Sequence, residues 1–317
     1  MRTILSISCL LLYAAAAGAD DLSQAQTILD RYLATPHPRG PSKGDPYNAQ
    51  ADAEVNGARL ARLALLGELK ATPDAAVSAA EEVLMKRASP VQRYEIVGAL
   101  GSKIQTRACA DLLHRVLQDV REPNDEDSAL YEVLVRCEAV HGLRRMSRRT
   151  DRTGGQRIER SADLDPAVPG LVPYLVLAAD DKAEQVRVTA LYALADTRDP
   201  VAVLELRKRL DDPSDRVRLY AACFLTEVQD ASGLPEMRRA LARLCLADPT
   251  QDFRFYADVE MLLASMERIT GKGFGPIPMN PMLSSSTTQG EANSRRYQAL
   301  LRAWAQWWDW EPAALDG

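Results

Sequence analysis

Aromatic residues are scarce in this sequence, since phenylalanine, tryptophan and tyrosine make up 6% of its 317 residues. Scarce aromatics beside abundant alanine and leucine favour packed helices over β-sheets, which are enriched in aromatic and β-branched residues. Histidine is scarcer still, with only His37, His114 and His141, and this argues against a multi-histidine metal site. We therefore expect an all-α protein without a histidine-built metal centre.

Long apolar runs are confined to the N-terminus, where Ile4 to Ala17 follows Arg2, and Ala17 and Ala19 precede Asp20. This run is shorter than the roughly 20 residues that span a bilayer, so it predicts a secretory signal peptide at 1–19. No later segment reaches that length, and we expect no transmembrane segment. The mature protein is predicted to be exported, periplasmic or secreted, and soluble.

Positive charge is also in deficit. The formal net charge is −5, and it becomes −6 when Arg2 is removed with the signal peptide. Binding to nucleic acid depends on clustered positive charge that releases counterions. Nucleic acid is therefore not an expected partner.

Cysteine is too sparse for a disulfide scaffold, with four residues left after removal of the signal peptide: Cys109, Cys137, Cys223 and Cys245. Each lies among apolar residues at helical spacing, so we expect buried thiols in preference to bridges. If a bridge exists, Cys109 to Cys137 is the favoured pair, since these residues fall on consecutive predicted helices.

One pattern recurs along the chain, as VRVTALYAL at 186–194 and as VRLYAACFL at 217–225, 31 residues later. A large apolar residue followed by arginine is joined by alanine four residues on and by leucine or methionine eight residues on. These positions share one face of an α-helix, because successive residues are about 100° apart. The copies are Val135, Ala139 and Leu143; Val186, Ala190 and Leu194; Val217, Ala221 and Leu225; and Phe253, Ala257 and Met261.

The helix starts repeat in the same frame, as DKAE at 181–184, DPSD at 212–215 and DPTQ at 248–251. Aspartate is a strong N-cap, proline is tolerated at the first helical position, and an acidic or amide third residue closes a capping box. We expect Asp181, Asp212 and Asp248 to cap three helices in this way. SPVQ at 89–92 predicts a fourth such start.

Second amphipathic segments lie between the striped helices, at about 166–179, 200–210 and 233–247. VAVLELRKRL at 201–210 corresponds to SGLPEMRRAL at 232–241. The unit is thus a helix pair. One pair cannot bury both of its faces, so neighbouring pairs must stack into a continuous core.

This unit resembles the HEAT repeat family, especially the short bacterial variety related to phycobilisome-lyase repeats, whose unit looks like D-x-x-x-x-V-R-x-x-A-x-x-x-L. LVPYLVLAADDKAEQVRVTALYAL and LRKRLDDPSDRVRLYAACFL carry the resemblance, which is clear over about 165–265. It implies an α/α superhelix, an armadillo-type α-solenoid of about five to six helix pairs. Such solenoids usually act as scaffolds, and the resemblance implies no catalytic residues.

The chain divides into six predicted segments. They are a signal peptide at 1–19, an N-terminal helix and Pro/Gly-rich loop at 20–50, degenerate HEAT-like helix pairs at 51–146, an Arg-rich flexible insertion at 147–163, clear HEAT-like repeats at 164–269, and a Pro/Ser/Thr-rich loop with a Trp-bearing capping helix at 270–317. The five arginines of the insertion have two interpretations. They bind an anion, or they belong to an ordinary solvated polar loop.

The last predicted helix, SRRYQALLRAWAQWWDW, concentrates aromatic and leucine residues on one face. They are Tyr297, Leu300, Leu301, Trp304, Trp307 and Trp308. A solenoid end exposes apolar surface and needs a cap, so we expect this helix to dock there. The alternative is an aromatic platform for a ligand.

No motif predicts catalysis. GPSKG at 40–44 has nucleophile-elbow spacing, but it lies in a proline-rich loop without the required strand. GKG at 271–273 lacks the other residues of a phosphate-binding loop and is expected to be a turn. Cys137 and His141 have zinc-ligand spacing, yet they occupy packing positions of the repeat frame. Asp125 to Asp127 are expected to begin a helix. We therefore expect no catalytic, cofactor or metal site.

The 31-residue period places basic residues of the second helices in two columns, His114 with Arg207 and Arg238, and Arg115 with Lys208 and Arg239. Second helices usually line the concave wall of a solenoid, so these columns predict a basic ridge that binds an acidic protein segment or an anionic polysaccharide. The alternative is a set of ordinary exposed helix charges.

These patterns favour an exported, noncatalytic scaffold that binds a protein partner on its concave face. An enzyme or accessory lyase with an active site of scattered residues is the second hypothesis, and a purely structural envelope component is the third. A deep polar pocket with facing ionisable groups would favour the enzyme.

Overall fold

The computed structural model describes residues 20–34, 68, 72–122, 125–147, 168–247, 254–281 and 287–310. Helices in these ranges are numbered in chain order. They are α1 at 20–34, α2 at Pro73–Glu82, α3 at Pro90–Lys103, α4 at Arg107–Gln118, α5 at Glu126–Ser147, α6 at Val172–Ala178, α7 at Glu184–Thr197, α8 at Pro200–Lys208, α9 at Asp215–Glu227, α10 at Leu234–Leu246, α11 at Phe255–Thr270 and α12 at Thr287–Trp310. A π-helical turn, Val83–Arg87, continues α2.

The chain forms two compact units, Met1–Tyr174 and Leu175–Gly317, called the N-terminal and C-terminal units below. The described residues of both units contain helices and turns but no strand. None of the described helices is both long and apolar enough to span a bilayer. The all-α fold class predicted from the sequence is confirmed.

In the N-terminal unit, α3 lies along α5 while α4 packs against both helices. The predicted start of α3 is confirmed, because Ser89 accepts a hydrogen bond from the Gln92 backbone and the Gln92 side chain accepts one from the Ser89 N–H. The predicted start of α5 is confirmed as well. Asp125 Oδ1 accepts a 2.7 Å hydrogen bond from Ser128 N just before the helix begins.

The C-terminal unit contains the clearest repeats. Helix α9 packs between α7 and α11, while α8 and α10 follow as the second helices of their pairs. The predicted stripes of α7 and α9 have no exposed surface at any of their six positions. Stacking of the pairs through these faces is therefore confirmed: the small alanine at the centre of each stripe lets the neighbouring helix come close.

The fourth predicted stripe is wrong. Ala257, its central position, is exposed, whereas Phe255, Val259 and Leu263 are buried. Helix α11 begins at Phe255, so its buried face is displaced by two residues from the FR pair that suggested the frame. Phe253 lies outside the described residues.

The predicted aspartate N-caps are wrong for α7 and α9. These helices begin at Glu184 and Asp215, three residues after Asp181 and Asp212. The two aspartates instead stabilise the preceding turns, where each accepts a hydrogen bond from the backbone two residues on. Ser214 caps α9, and Asp248 lies outside the described residues.

Helix α12 docks on the end of the C-terminal unit, as expected of a cap. Its apolar face packs mainly against α10, and Tyr297, Leu301, Trp304 and Trp308 are buried. The Tyr297 hydroxyl also donates to Glu260 Oε1 of α11 at 2.5 Å and lies 2.8 Å from the Pro278 carbonyl oxygen. Burial and the adjacent Glu260 raise the pKa of Tyr297 far above its usual value, so it stays protonated.

The cysteines follow the prediction in part. Cys109, Cys137 and Cys223 are buried, but Cys245 is half-exposed. No disulfide joins the cysteines of the described ranges, so the favoured pair is not bridged. Burial raises the pKa of Cys109 and of Cys223 to about 12, which keeps both as unreactive thiols.

Several sequence predictions lie outside the described residues. They are the signal peptide at 1–19, the motif at 40–44, most of the first twenty residues of the predicted helix pairs at 51–146, and the insertion from 148 to 163.

Candidate functional site

A groove of about 670 Å³ lies beside α8 in the C-terminal unit. Pro200, Val203 and Leu204 of α8 and Val228, just after α9, give it an aliphatic floor. Leu204 is 61% exposed, and Val201 on the same helix is 55% exposed. Aliphatic side chains this exposed on one helix offer a surface on which an apolar side chain of another molecule can pack. This surface is called the α8 groove.

The rim of the α8 groove is formed where two first helices end. Arg198 ends α7 with φ of 53°, and Gln229 follows α9 with φ of 59°. They are the non-glycine residues with positive φ in the described part of the chain, and both line the groove. A left-handed conformation costs a residue with a Cβ about 1 kcal/mol, and α11 ends on Gly271 instead.

The same turns position the next helices. Asp199 and Asp230 directly follow the left-handed residues, and each accepts a hydrogen bond from the backbone two residues on, at 2.8 and 2.9 Å. The left-handed residue reverses the chain, after which Asp199 caps α8 and Asp230 caps a 3-10 turn, Ala231–Gly233, that leads into α10. This arrangement repeats after 31 residues. The sequence signal for this rim is the aspartate that recurs after 31 residues, at Asp199 and Asp230, and the helical stripes do not include it.

Positive charge borders the α8 groove. Arg198 is exposed and makes no hydrogen bond or ion pair with any described residue. Arg207 pairs with Asp230 at 2.6 Å, but 51% of its side chain stays exposed. Burial favours neutral Asp230, yet hydrogen bonds from Ser232 and Arg207 lower the pKa of Asp230 below its usual value. Arg198 is thus an uncompensated cation beside an aliphatic floor.

The six residues of the predicted basic ridge are distributed over both units. Arg207 and Lys208 lie on α8, Arg238 and Arg239 on α10, and His114 and Arg115 on α4 of the N-terminal unit. Of the six, Arg207 lines the α8 groove.

Local carboxylates already contact three of these cations. Arg115 pairs with Glu81 at 2.9 Å and Arg239 with Glu236 at 2.6 Å. Lys208 lies 3.6 Å from Glu205. The side chains of these three cations stay partly exposed, from 43% at Arg115 to 65% at Arg239, and they lie outside the lining of the α8 groove.

A second concave site in the C-terminal unit is polar and has a volume of about 290 Å³. Three of its charged side chains come from the starts of first helices: Glu184, Arg216 and Asp258. Arg216 Nε donates to Asp258 Oδ1 at 2.9 Å, and Ser214 Oγ donates to Glu184 Oε2 at 2.7 Å.

The remaining groups of this polar pocket are paired in the same way. Arg254 donates to Glu184 at 3.1 Å, and Arg243 lies 3.2 Å from Asp215. Burial and Asp258 raise the pKa of Tyr220, which donates to Asp258 at 3.0 Å, to about 12. Each carboxylate therefore lies against a guanidinium, and the pair of Arg216 with Asp258 connects the starts of α9 and α11.

The N-terminal unit has a cluster around Tyr174. The His114 ring stacks on the Tyr174 ring at 4.1 Å and 10°, and Tyr174 donates to Asp111 at 2.7 Å. Arg107 donates to both Asp111 and Tyr174. The buried Nδ1 of His114 has no hydrogen-bond partner among the residues that the structure describes.

Metal-ligating residues do not converge in the described part of the chain, where no group of three His, Cys, Asp or Glu side chains is arranged around a common point. Cys137 is buried in the α5 core, as its position in the repeat frame predicts. Burial lowers the pKa of His141 on the same helix, with further lowering by Arg145 and Arg144.

Comparison with known proteins agrees with the repeat pattern. Residues 169–257 match the family model for HEAT repeats. No curated protein sequence matches the chain. One similar solved structure is human deoxyhypusine hydroxylase in complex with glycerol, with 19% identity over 87% of this chain and 98% of that chain and a TM-score of 0.24. That score does not support a common helix arrangement. The stripes and the paired helices of the C-terminal unit agree with the match of residues 169–257 to the HEAT repeat model.

Proposed function

We propose that this chain is an exported, noncatalytic scaffold that binds a protein partner through the α8 groove. The observation that carries the proposal is the exposed aliphatic surface of Val201 and Leu204 on α8, a helix that packs against α7 and α9. Leu204 also lines the groove, and exposed aliphatic surface beside a groove is typical of a site that another molecule covers. HEAT repeats commonly serve as scaffolds for protein interaction, and the exposed groove fits that use.

The polar pocket is the competing site, because an enzyme would need ionisable groups that face its substrate. Glu184 and Asp258 already accept hydrogen bonds from arginine and hydroxyl groups at 2.7 to 3.1 Å. Acid–base chemistry would require these ion pairs to separate first. We therefore favour binding at the α8 groove over catalysis at the polar pocket.

Site-specific photocrosslinking in the native host tests the proposal. A photoreactive amino acid replaces Leu204 in the groove or Asp211, an exposed residue nearby. We expect a discrete protein adduct from position 204 and none from position 211, and mass spectrometry identifies the partner. Equal labelling from both positions, or no protein adduct at 204, would contradict the scaffold function.

Export is tested separately by N-terminal sequencing of the protein recovered from the periplasm or the medium. We expect the mature chain to begin at Asp20, in keeping with the predicted cleavage after Ala19. A chain that keeps Met1 and stays in the cytoplasm would contradict export.

A further inference from the structure

We propose that the α8 groove binds an acidic segment of a partner protein, with a carboxylate of that segment on Arg198 and its aliphatic side chains on Val203 and Leu204. The inference rests on the proposed function, since it specifies the partner chemistry of the same surface. It follows from the charge at the rim, the apolar floor and the backbone conformation of Arg198.

The backbone conformation of Arg198 is the first observation. Its φ of 53° belongs to the left-handed region in which glycine is favoured. Glycine would close α7 more favourably, as Gly271 closes α11. An arginine here costs stability, and its guanidinium makes no hydrogen bond or ion pair with a described residue. Residues with strained backbone conformations cluster at binding sites, where their side chains contact a ligand.

The balance of charge around the groove is the second observation. Glu227, the acidic residue of the lining, is 16% exposed at its side chain and lies 4.0 Å from Arg268. Asp230 is 10% exposed and accepts a hydrogen bond from Arg207. Both carboxylates are thus largely withdrawn from solvent. Arg198 and the outer part of Arg207 are left to face a ligand, in a chain whose net charge is −5.

The aliphatic floor selects a peptide over other anions. Pro200, Val203, Leu204 and Val228 have no polar side-chain atom with which to bind a sugar hydroxyl or a phosphate oxygen. A segment with acidic and aliphatic residues in alternation satisfies both parts of the surface. Charge-assisted hydrogen bonds at the guanidinium orient it, and apolar contact at Leu204 adds affinity.

Fluorescence anisotropy with synthetic peptides tests this chemistry on the full mature chain. The probes are three short labelled peptides with the same leucine spacing, flanked by glutamate, by glutamine or by lysine. We expect the glutamate peptide to bind about tenfold more tightly than the glutamine peptide, through the two guanidinium groups, and the lysine peptide to bind least. Equal affinity for the three peptides would overturn the proposal.

Substitutions at Arg198 separate binding from folding. Arg198→Gly removes the guanidinium and relieves the left-handed strain, so we expect unchanged or higher thermal stability with about fivefold weaker binding of the glutamate peptide. Arg198→Lys keeps the charge and should retain most of the affinity. Arg239→Gln, at an exposed arginine of α10 that pairs with Glu236, is the matched control and should bind like the parent.

Each remaining outcome distinguishes the inference from the proposed function. If Arg198→Gly binds like the parent, or if dextran sulfate competes better than the glutamate peptide, the acidic-segment inference is wrong. A protein adduct at position 204 whose contact segment lacks acidic residues would also overturn it, while leaving the scaffold function intact. If neither peptide binding nor a protein adduct is observed, both proposals fail.

Discussion

Arg187 and Asp212 join two successive repeats through a two-point ion pair. Nε and Nη2 of Arg187 donate to the two carboxylate oxygens of Asp212, at 3.0 and 2.9 Å. Asp212 is 2% exposed at its side chain, and its Oδ1 also accepts from Ser214 N. The arginine of one repeat motif thus binds the aspartate of the next, 25 residues along the chain.

Replacing Asp212 with alanine should therefore lower the free energy of unfolding by about 3 kcal/mol. The substitution leaves a largely buried guanidinium without its carboxylate, and this costs more than the net contribution of the pair. Urea denaturation followed by circular dichroism measures the change. The exposed neighbour supplies the control: Asp211→Ala should alter stability by less than about 0.5 kcal/mol. Equal losses in the two variants would show that the ion pair does not connect the repeats.

Gly101 and Gly142 set the distance between α3 and α5 in the N-terminal unit. A Cβ at Gly101 would lie 2.7 Å from the Gly142 Cα, with no flexible side chain to move aside. Gly101→Ala should therefore cost about 2 kcal/mol of unfolding free energy through overpacking.

Gly98→Ala is the matched control on the same helix. A Cβ there would meet Glu138 Oε2 at 3.4 Å, and a flexible side chain can yield. Because alanine favours a helix over glycine, this variant should be neutral or more stable by up to about 1 kcal/mol. Thermal melts compare the two variants, and a stable Gly101→Ala protein would show that the helices can separate without cost.

The periodic features of the fold were predictable from sequence because they depend on local geometry. The stripes of α7 and α9 follow from the helical repeat, and the Ser89–Gln92 capping box follows from residues three apart. The roles of Asp181 and Asp212 were not predictable in the same way. The capping rule considers only neighbouring residues, and it therefore predicts that the Asp212 carboxylate caps a helix. In the structure this carboxylate binds an arginine 25 residues away.

The candidate site was predicted only in part, for a related reason. The period identified Arg207, which lines the α8 groove. It did not identify Arg198, because a left-handed residue is predicted from glycine and arginine gives no such signal. The period also gives no signal of the carboxylate partners of Arg115 and Arg239, since Glu81 lies on another helix and Glu236 lies outside the two basic columns.

Trp304 should be the residue on which docking of α12 depends most. Its side chain is 2% exposed and meets the Phe274 ring edge to face at 4.9 Å. Trp304→Ala should cost about 3 to 4 kcal/mol, since it leaves a large cavity under the cap. Thermal unfolding monitored by near-ultraviolet circular dichroism reports the loss.

Trp307 offers the matched comparison, because it is only half-buried and its indole N–H has no acceptor in the described part of the chain. Trp307→Phe removes an unsatisfied donor and keeps an aromatic ring, so it should cost less than about 1 kcal/mol. If Trp307→Phe were the more damaging variant, the cap would depend on the outer edge of the aromatic cluster instead of its buried centre.

The stack of His114 on Tyr174 should make stability depend on pH near neutrality. Burial of the ring lowers the pKa of His114 below 6.5, with Asp111 opposing and Arg115 adding to the shift. A depressed pKa means that the folded state binds fewer protons than the unfolded state in this window, so stability falls as pH falls through about 6.5. His114→Phe keeps the stack and removes both the titration and the unpartnered Nδ1. Its melting temperature, measured between about pH 7.5 and 5.5, should fall less than that of the parent. An equal fall would assign the acid sensitivity to His141 and to groups elsewhere.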